Sequence, residues 1–208
     1  MARQDLRSRG SRREQILNSA LALFVAHGLN NVSTRRIAHA AGISQPSLYA
    51  HFANRDAIAV ELCCRAFETL HDLLEQAAGS TTDPLEQVHR IGRTYIDFGL
   101  RNEAAYRVAF MLEMPAEHVD ENSRVLDAGV RAFGVLHRAI AVLFPDPAQA
   151  GLTAQSAWAA LHGLVSLLLV RPEFPFADHA LLIDAHLSHL VGWLADRSPV
   201  LKQPKNSH

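Results

Sequence analysis

Histidines and carboxylates stand in this chain at spacings that could hold a metal ion. Glu68 and His71, and again Glu86 and His89, form Glu-x-x-His pairs, which is the spacing of di-iron carboxylate bundles. The pairs fall near the end of one predicted helix and the start of the next, and no bridging Glu stands on two other helices. A zinc site is the other possibility, with four candidate ligands near the C-terminal end: His179, Asp184, His186 and His189. We expect neither metal nor cofactor, and keep a helical metal-binding or di-iron-type bundle protein as the alternative function.

A second group of polar side chains lies in one short segment, where all of its members can hydrogen-bond a base edge or a phosphate: Ser44, Gln45, Ser47, Tyr49 and His51. Leu48 and Phe52 stand four residues apart in the same segment, so both should face a protein core. One face of a short helix is therefore predicted to be polar and exposed, and the other buried.

The elements around this segment fit a helix-turn-helix, and the pattern by itself leaves ordinary bundle packing of two short helices as the alternative. Ser33 can cap a short helix that ends at Gly42, and Ser44 can cap the next helix, with Pro46 in its first turn. In such motifs the first helix crosses the DNA backbone while the second enters the major groove. Thr34, at the start of the first helix, is then a candidate phosphate anchor.

The charge distribution supports a nucleic-acid partner, although the whole chain carries a formal net charge of only −1. Residues 1–60 hold 8 Arg against 3 acidic residues, a net charge of +5, whereas residues 61–208 hold 12 Lys and Arg against 18 acidic residues, a net charge of −6. A basic module that binds a polyanion is thus predicted to be joined to an acidic body.

The chain resembles the DNA-binding domain of TetR/AcrR-type transcriptional regulators over about residues 9–58. The likeness is carried, without a gap, by Leu23-Phe24, Gly28, Val32-Ser33-Thr34, Ile37-Ala38, Ala41-Gly42-Ile43-Ser44 and Leu48-Tyr49-x-His51-Phe52-x-Asn54-Arg55. The resemblance implies phosphate contacts from Thr34, Tyr49, His51 and Arg55. It implies base or groove contacts from Arg35, Ser44, Gln45, Pro46 and Ser47, and Gln45 replaces a Lys that relatives often carry.

Farther along, the likeness is to a C-terminal variant of the same family named for its Trp and His-Gly residues. It is carried by Tyr106-Arg107-x-x-Phe110 and Trp158-x-x-x-His162-Gly163. Trp158 and His162 share one helical face, where plain core packing, a ligand-pocket wall and a dimer face all remain open. The resemblance implies a small, largely apolar inducer inside the body, for which the candidate contacts are Tyr95, Phe98, Tyr106, Phe110, Met111, Met114, Trp158 and His162.

The predicted architecture is all-α, with about nine helices and no sheet. We expect helix 1 from the Ser11-x-x-Glu14 capping box to Gly28, helix 2 from Ser33, helix 3 from Ser44 through Phe52 and helix 4 from Asn54 to about Ala78. Five more helices are predicted at about 84–101, 103–112, 121–144, 150–170 and 177–196. The predicted domains are a DNA-binding head, residues 1–53, and a ligand-binding and dimerisation body, residues 54–208.

The predicted function is that of a homodimeric, ligand-responsive repressor. The resemblance implies that the helices at about 150–170 and 177–196 pair with their copies, so that two heads meet a palindromic double-stranded DNA operator. A ligand that moved helix 4 would change the spacing of the heads and release the DNA. No nucleophile elbow or phosphate loop occurs, so we expect no enzyme.

The location is predicted from the cysteines and from the apolar runs. Cys63 and Cys64 are adjacent and are the only cysteines, which rules out a disulfide scaffold and favours the reducing cytoplasm. The longest apolar stretch, Leu164 to Val170 with Ser166 inside it, is too short to span a bilayer. We therefore expect no membrane partner.

Overall fold

A computed structural model describes residues 2–111 and 124–202 of the chain, with side chains from residue 11 onward. Within these ranges there are nine α-helices and no strand, which confirms the predicted fold class. A 3-10 turn, η1, covers Leu29–Asn31. The helices are α1 Ala2–His27, α2 Thr34–Ala40, α3 Gln45–Tyr49, α4 Arg55–Ala78, α5 Pro84–Arg101, α6 Glu103–Phe110, α7 Arg124–Ala141, α8 Pro147–Val170 and α9 His179–Arg197.

The start of α1 differs from the prediction. The helix begins at Ala2, so the Ser11 capping box is not its N-terminus. The Glu14 carboxylate instead accepts a hydrogen bond from Arg65 Nη1, 2.6 Å away. The residues before Ser11 include Ala, Arg, Gln and Leu, which have high helix propensity and let the helix continue backward.

The other helix ends follow local hydrogen bonds. α3 ends at Tyr49 rather than Phe52, because the chain tightens there and the amide of His51 donates to the carbonyl of Leu48, at 2.9 Å. Asn54 caps α4 as predicted, its Oδ1 accepting from the amide of Ala57 at 2.7 Å. α8 begins at Pro147 rather than 150, because Asp146 caps it.

The chain forms two compact units, Met1–Phe67 with Ala104–Ala128, and Glu68–Glu103 with Gly129–His208. The core of the first unit joins α1, α2, α3 and the start of α4 through fully buried side chains such as Phe24, Ile37 and Leu48. Leu48 and Phe52 are 0% and 5% exposed, which confirms that they face inward. The predicted domain boundary at residue 53 stays a prediction.

The second unit is built around α5, which packs against both α8 and α9. Gly92 in α5 permits the close approach: a Cβ at this position would lie 2.7 Å from Cδ2 of Leu187 and 3.3 Å from Cδ2 of Leu161. Both leucines are 0% exposed, so they have little room to move away. The three helices therefore depend on a small residue at position 92.

Replacing Gly92 by Val is expected to destabilise the protein by about 1–3 kcal/mol, because overpacking a filled core forces side chains off their rotamers. The thermal midpoint should fall by about 2–10 °C at this chain length. Gly134→Val is the matched control, since a Cβ there meets only the guanidinium end of Arg138, at 3.4 Å. Equal melting temperatures for the two variants would contradict this account of the packing.

α8 differs from the expectation that the apolar segments of this chain are too short to span a bilayer. α8 has 24 residues and a mean hydropathy of 1.4 over its most apolar window, so by length and composition alone it could cross a membrane. The apolar stretch from Leu164 to Val170 is only the end of α8, whereas the whole helix lacks Asp, Glu, Lys and Arg. Core helices of globular proteins meet the same criterion, and 39% of the window is buried within the protein.

Candidate nucleic-acid interface

The two short helices α2 and α3 are each capped by a serine side chain. Ser33 Oγ accepts a hydrogen bond from the amide of Arg36 at 3.2 Å, and Ser44 Oγ accepts from the amide of Ser47 at 3.3 Å. Gly42 lies between them at φ 62°, in the left-handed region that suits glycine. The caps and the turn predicted from the sequence are therefore present, and Ser44 uses its hydroxyl within the chain.

Three of the predicted DNA-contacting side chains form one polar cluster across α2 and α3. The hydroxyls of Thr34 and Tyr49 lie 3.2 Å apart. Gln45 Nε2 lies 3.5 Å from the Thr34 hydroxyl and 3.4 Å from the Tyr49 hydroxyl. Residues that are 11 and 15 positions apart in sequence thus converge on one surface, which the sequence pattern alone did not reveal.

Tyr49 is the most prominent member of this cluster. Its side chain is 49% exposed although it stands on a helix whose other face is buried. Hydrogen bonds from Thr34 and, to a smaller extent, Gln45 lower the pKa of the Tyr49 phenol. An exposed hydroxyl held by two neighbours is pre-oriented to hydrogen-bond a phosphate oxygen.

The other predicted contact residues differ in their exposure. Arg35, Ser44 and Pro46 are exposed, while Ser47 and His51 are half-buried. Arg35 places its guanidinium at the surface of α2. These five residues lie between positions 35 and 51, and their DNA contacts stay a prediction.

Arg55 is bound within the protein. Its Nε donates to Asp56 Oδ1 at 2.9 Å, and its Nη1 donates to the carbonyl of Leu29 at 3.2 Å and lies 3.5 Å from that of Asn30. The resemblance implies a phosphate contact for this residue, and the structure places its guanidinium on the turn before α2.

Sequence reasoning missed a group of charged residues that fixes α1 to α4. Glu61 Oε1 lies 3.0 Å from Arg13 Nη1 and 3.1 Å from Arg65 Nε. The Glu61 carboxyl is partly buried, which disfavours its charge, yet the two arginines lower its pKa overall. The guanidinium of Arg13 also lies 4.5 Å from the centre of the Phe52 ring. Only the i,i+4 spacing of Glu61 and Arg65 was available in the sequence as a signal.

Within the second unit, four of the predicted ligand contacts occur and three of them meet. Trp158 Nε1 donates to the hydroxyl of Tyr95 at 3.3 Å, and that hydroxyl lies 3.5 Å from His162 Nδ1. Burial lowers the pKa of His162 and so favours the neutral imidazole. Ser166 Oγ lies 3.2 Å from His162 Nε2 and was missed, although its i,i+4 spacing from His162 is visible in the sequence.

The remaining ligand candidates are distributed differently. Phe98 is buried in the second unit, whereas Tyr106, Phe110 and Met111 belong to the first. Tyr106 is 0% exposed, and its ring centre lies 4.7 Å from that of Phe110. Met114 lies outside the described residues.

Three of the candidate metal ligands are paired with arginine side chains. Arg90 Nε donates to Glu86 at 2.7 Å, Arg93 Nη1 donates to Asp184 at 2.6 Å, and Arg131 approaches Glu68 to 4.0 Å. In the part of the chain that the structure describes, no group of three or more His, Cys, Asp or Glu is placed to hold a metal ion. The bundle alternative is therefore not supported.

Comparison with family models gives two matches. Residues 16–62 match the model described as bacterial regulatory proteins of the tetR family. Residues 88–190 match the model described as a tetracyclin repressor-like C-terminal domain, a range that includes Trp158, His162 and Gly163. The residues that carry the two predicted likenesses, from Leu23 to Arg55 and from Tyr106 to Gly163, lie within the matched segments.

Curated relatives match less than half of the chain. The transcriptional activator FasR of Mycolicibacterium smegmatis is 30% identical over 102 residues, 49% of this chain and 47% of the relative. The transcriptional repressor KstR2 of Mycobacterium tuberculosis is 37% identical over 78 residues, 38% of this chain and 39% of the relative. The chain therefore spans less than half the length of the curated relatives it matches.

Solved structures extend the likeness of the fold to almost the whole chain. The regulatory protein SCO4313 superposes with a TM-score of 0.74 at 26% identity, over 89% of this chain and 98% of that one. The regulator FadR of Bacillus subtilis, solved with stearoyl-CoA, gives a TM-score of 0.70 at 14% identity, over 86% and 97% of the two chains. At that lower identity the likeness concerns the fold alone.

Proposed function

The chain belongs to the TetR family of bacterial regulatory proteins, and we propose on that premise that it is a DNA-binding transcriptional regulator released from its operator by a small molecule. The observation that carries this proposal is the hydrogen-bonded cluster of Thr34, Gln45 and the exposed Tyr49 on a capped helix-turn-helix. Such a surface offers hydrogen-bonding groups to phosphates and base edges at once. The protein would then work in the cytoplasm, where the DNA is.

The division of labour among the predicted contacts follows from chemistry and exposure. Thr34, Tyr49 and His51 carry hydroxyl and imidazole groups that suit phosphate oxygens, and Arg35 adds an exposed charge. Gln45 can pair with adenine through two hydrogen bonds, and Ser47 can reach either type of base. Phosphate contacts would set affinity and the base contacts would set sequence preference.

Selection of bound duplexes from a random DNA pool tests the proposal. We expect a palindromic consensus whose half-sites lie about one helical turn, roughly 34–36 Å, apart, and whose copy occurs near a gene of the source genome. Recovery of no enriched sequence, with binding that never exceeds that of unrelated duplexes, would count against a regulator.

Gln45→Ala and Ser47→Ala are expected to change the selected consensus, with a loss of about 1–3 kcal/mol of discrimination at the affected base pair. Affinity for unrelated DNA should stay close to that of the wild type, because phosphate contacts dominate it. Repeating the selection with each variant checks both statements. A consensus identical to the wild-type one would remove these residues from the set of base contacts.

A homodimer is proposed from the exposed apolar side chains of α8 and α9. Leu152, Leu167 and Val170 on α8 are 71%, 53% and 47% exposed, and Leu181 on α9 is 68% exposed. Apolar surface of this extent is favoured at a protein interface rather than in water. Two copies of these helices would form a four-helix bundle, and two-fold symmetry would present two α3 helices to the operator.

The inducer is proposed to bind in the body and to be small and largely apolar. Tyr95, Trp158 and His162 supply a hydrogen-bonded polar group there, and a neutral imidazole can accept a hydrogen bond as well as donate one. Bound ligand would act on the heads through α4, and so would favour the DNA-free dimer.

A further inference from the structure

We propose that Arg55 is a positioning residue, which holds the first turn of α4 to the turn before α2 and supports operator binding through that turn rather than through a phosphate. This inference rests on the proposed DNA-binding function. It assigns to Arg55 a role other than the phosphate contact that the family resemblance implies.

The guanidinium of Arg55 spans three acceptors on two different segments. Nε donates to the carboxylate of Asp56 within α4, at 2.9 Å. Nη1 donates to the carbonyl of Leu29 at 3.2 Å and lies 3.5 Å from the carbonyl of Asn30. The planar fork of arginine can satisfy such separated acceptors together, which a single ammonium group cannot do.

The turn that Arg55 holds is itself the entry to α2. Leu29 is 3% exposed and Val32 is 1% exposed, so both ends of the turn are anchored in the core. Asn31 Nδ2 donates to the carbonyl of His27 at 2.9 Å. The chain then passes directly into Ser33, the cap of α2, and Thr34, whose hydroxyl meets Tyr49.

A second contact fixes the other side of this entry. Arg36 Nη2 lies 2.6 Å from His27 Nε2, and since a guanidinium has no acceptor it donates this bond. α2 is therefore held by the end of α1 through His27 and, through η1, by the start of α4. A displacement of α4 at Arg55 would be transmitted through four residues, Leu29 to Val32, to the polar cluster that begins at Thr34.

Electrostatics also argues against a phosphate role. The Arg55 side chain is only 26% exposed and forms an ion pair with Asp56, whose side chain is 23% exposed. A nearby phosphate would therefore meet a pair with no net charge, and an exposed arginine such as Arg35 is better placed to attract it. Arg55, Asp56 and Thr34 line one open cleft together with Asn30 and Asn31, so the held turn lies directly beside the proposed contact surface.

The first test compares Arg55→Lys and Arg55→Met in the full chain, with Arg35→Met as the control, using the operator found by selection. If Arg55 is a positioning residue, both Arg55 variants should bind the operator at least about tenfold more weakly, because lysine cannot replace the planar guanidinium. The slope of the logarithm of their binding constant against the logarithm of the salt concentration should equal that of the wild type. Arg35→Met should lower the slope by about 0.9 for each phosphate that the variant no longer neutralises. Wild-type affinity for Arg55→Lys, with a reduced slope for Arg55→Met, would overturn the proposal.

The second test needs no DNA. Amide hydrogen exchange should become at least about tenfold faster at residues 29–36 in both Arg55 variants, while amides in α8 keep wild-type rates. Unchanged exchange at 29–36, or an equal acceleration throughout the chain, would overturn a local positioning role. If the wild-type protein binds no DNA, the proposed function fails, and this measurement still decides whether Arg55 holds the turn.

Discussion

Tyr49→Phe is expected to weaken operator binding about 100-fold or more, because a hydrogen bond to a charged group contributes about 1.5 kcal/mol at the low end and a dimer makes two of them. The hydroxyl that this variant removes is 3.2 Å from Thr34 and 3.4 Å from Gln45, so the pre-orientation of the cluster disappears with it. Gel shifts or fluorescence anisotropy with the selected operator measure the effect.

The loss of affinity in Tyr49→Phe should be nearly the same for operator and for unrelated DNA, since phosphate contacts carry no sequence information. Circular dichroism should show an unchanged fold, because Tyr49 is exposed and phenylalanine keeps the ring. An affinity within threefold of the wild type would place the hydroxyl outside the interface.

The pH dependence of the same pair of proteins gives an independent check. The pKa of Tyr49 is lowered by its bonds with Thr34 and Gln45, so its phenolate forms at a lower pH than that of an ordinary tyrosine. A phenolate repels a phosphate, and operator affinity of the wild type should therefore fall as the pH rises toward this pKa. Operator affinity of Tyr49→Phe should not show this fall, because the variant has no phenol to ionise.

Leu167→Glu is expected to weaken dimerisation at least about 100-fold, since each protomer loses about 1.5–3 kcal/mol of apolar burial and two copies are affected. The introduced carboxylate adds a cost of burial without a partner. Operator affinity should fall in parallel, because a single head reaches only one half-site. Sedimentation equilibrium and gel shifts measure the two effects.

The control for Leu167→Glu is Val130→Glu. Val130 is also an exposed apolar residue, at 58%, but it lies on α7. This variant should remain dimeric and bind the operator as the wild type does. A dimeric Leu167→Glu, or a dissociated Val130→Glu, would move the interface away from α8 and α9.

Most of the element order could be read from the sequence because its signals are local. Ser33, Ser44 and Asn54 cap α2, α3 and α4 as expected, since a side-chain oxygen near a free amide needs no tertiary partner. The opposite net charges of residues 1–60 and 61–208 follow from counting residues, so they too need no structure. The predicted start of α1 was wrong because the residues before Ser11 continue the helix back to Ala2. Glu14 pairs with Arg65, which lies 51 residues away, and does not mark the N-terminus.

Only part of the candidate site could be predicted from such local signals. Helical periodicity distinguished the buried Leu48 from the exposed Tyr49, since it depends on the helix alone. It could not show that Gln45, Thr34 and Tyr49 share hydrogen bonds, because one of them stands on another helix. Nor could it show that Trp158 donates to Tyr95, 63 residues away.

The sequence by itself therefore determined an all-helical chain with a basic helix-turn-helix and an acidic body, and it identified the residue types that face outward on α3. Tertiary structure decided how those side chains are engaged, and Arg55 is the clearest case. From sequence it is a cation at the start of α4, whereas in the fold its guanidinium binds the carbonyls before α2. The physical reason is that composition and periodicity fix charge and direction, while hydrogen-bond partners depend on which distant segments packing brings within about 3 Å.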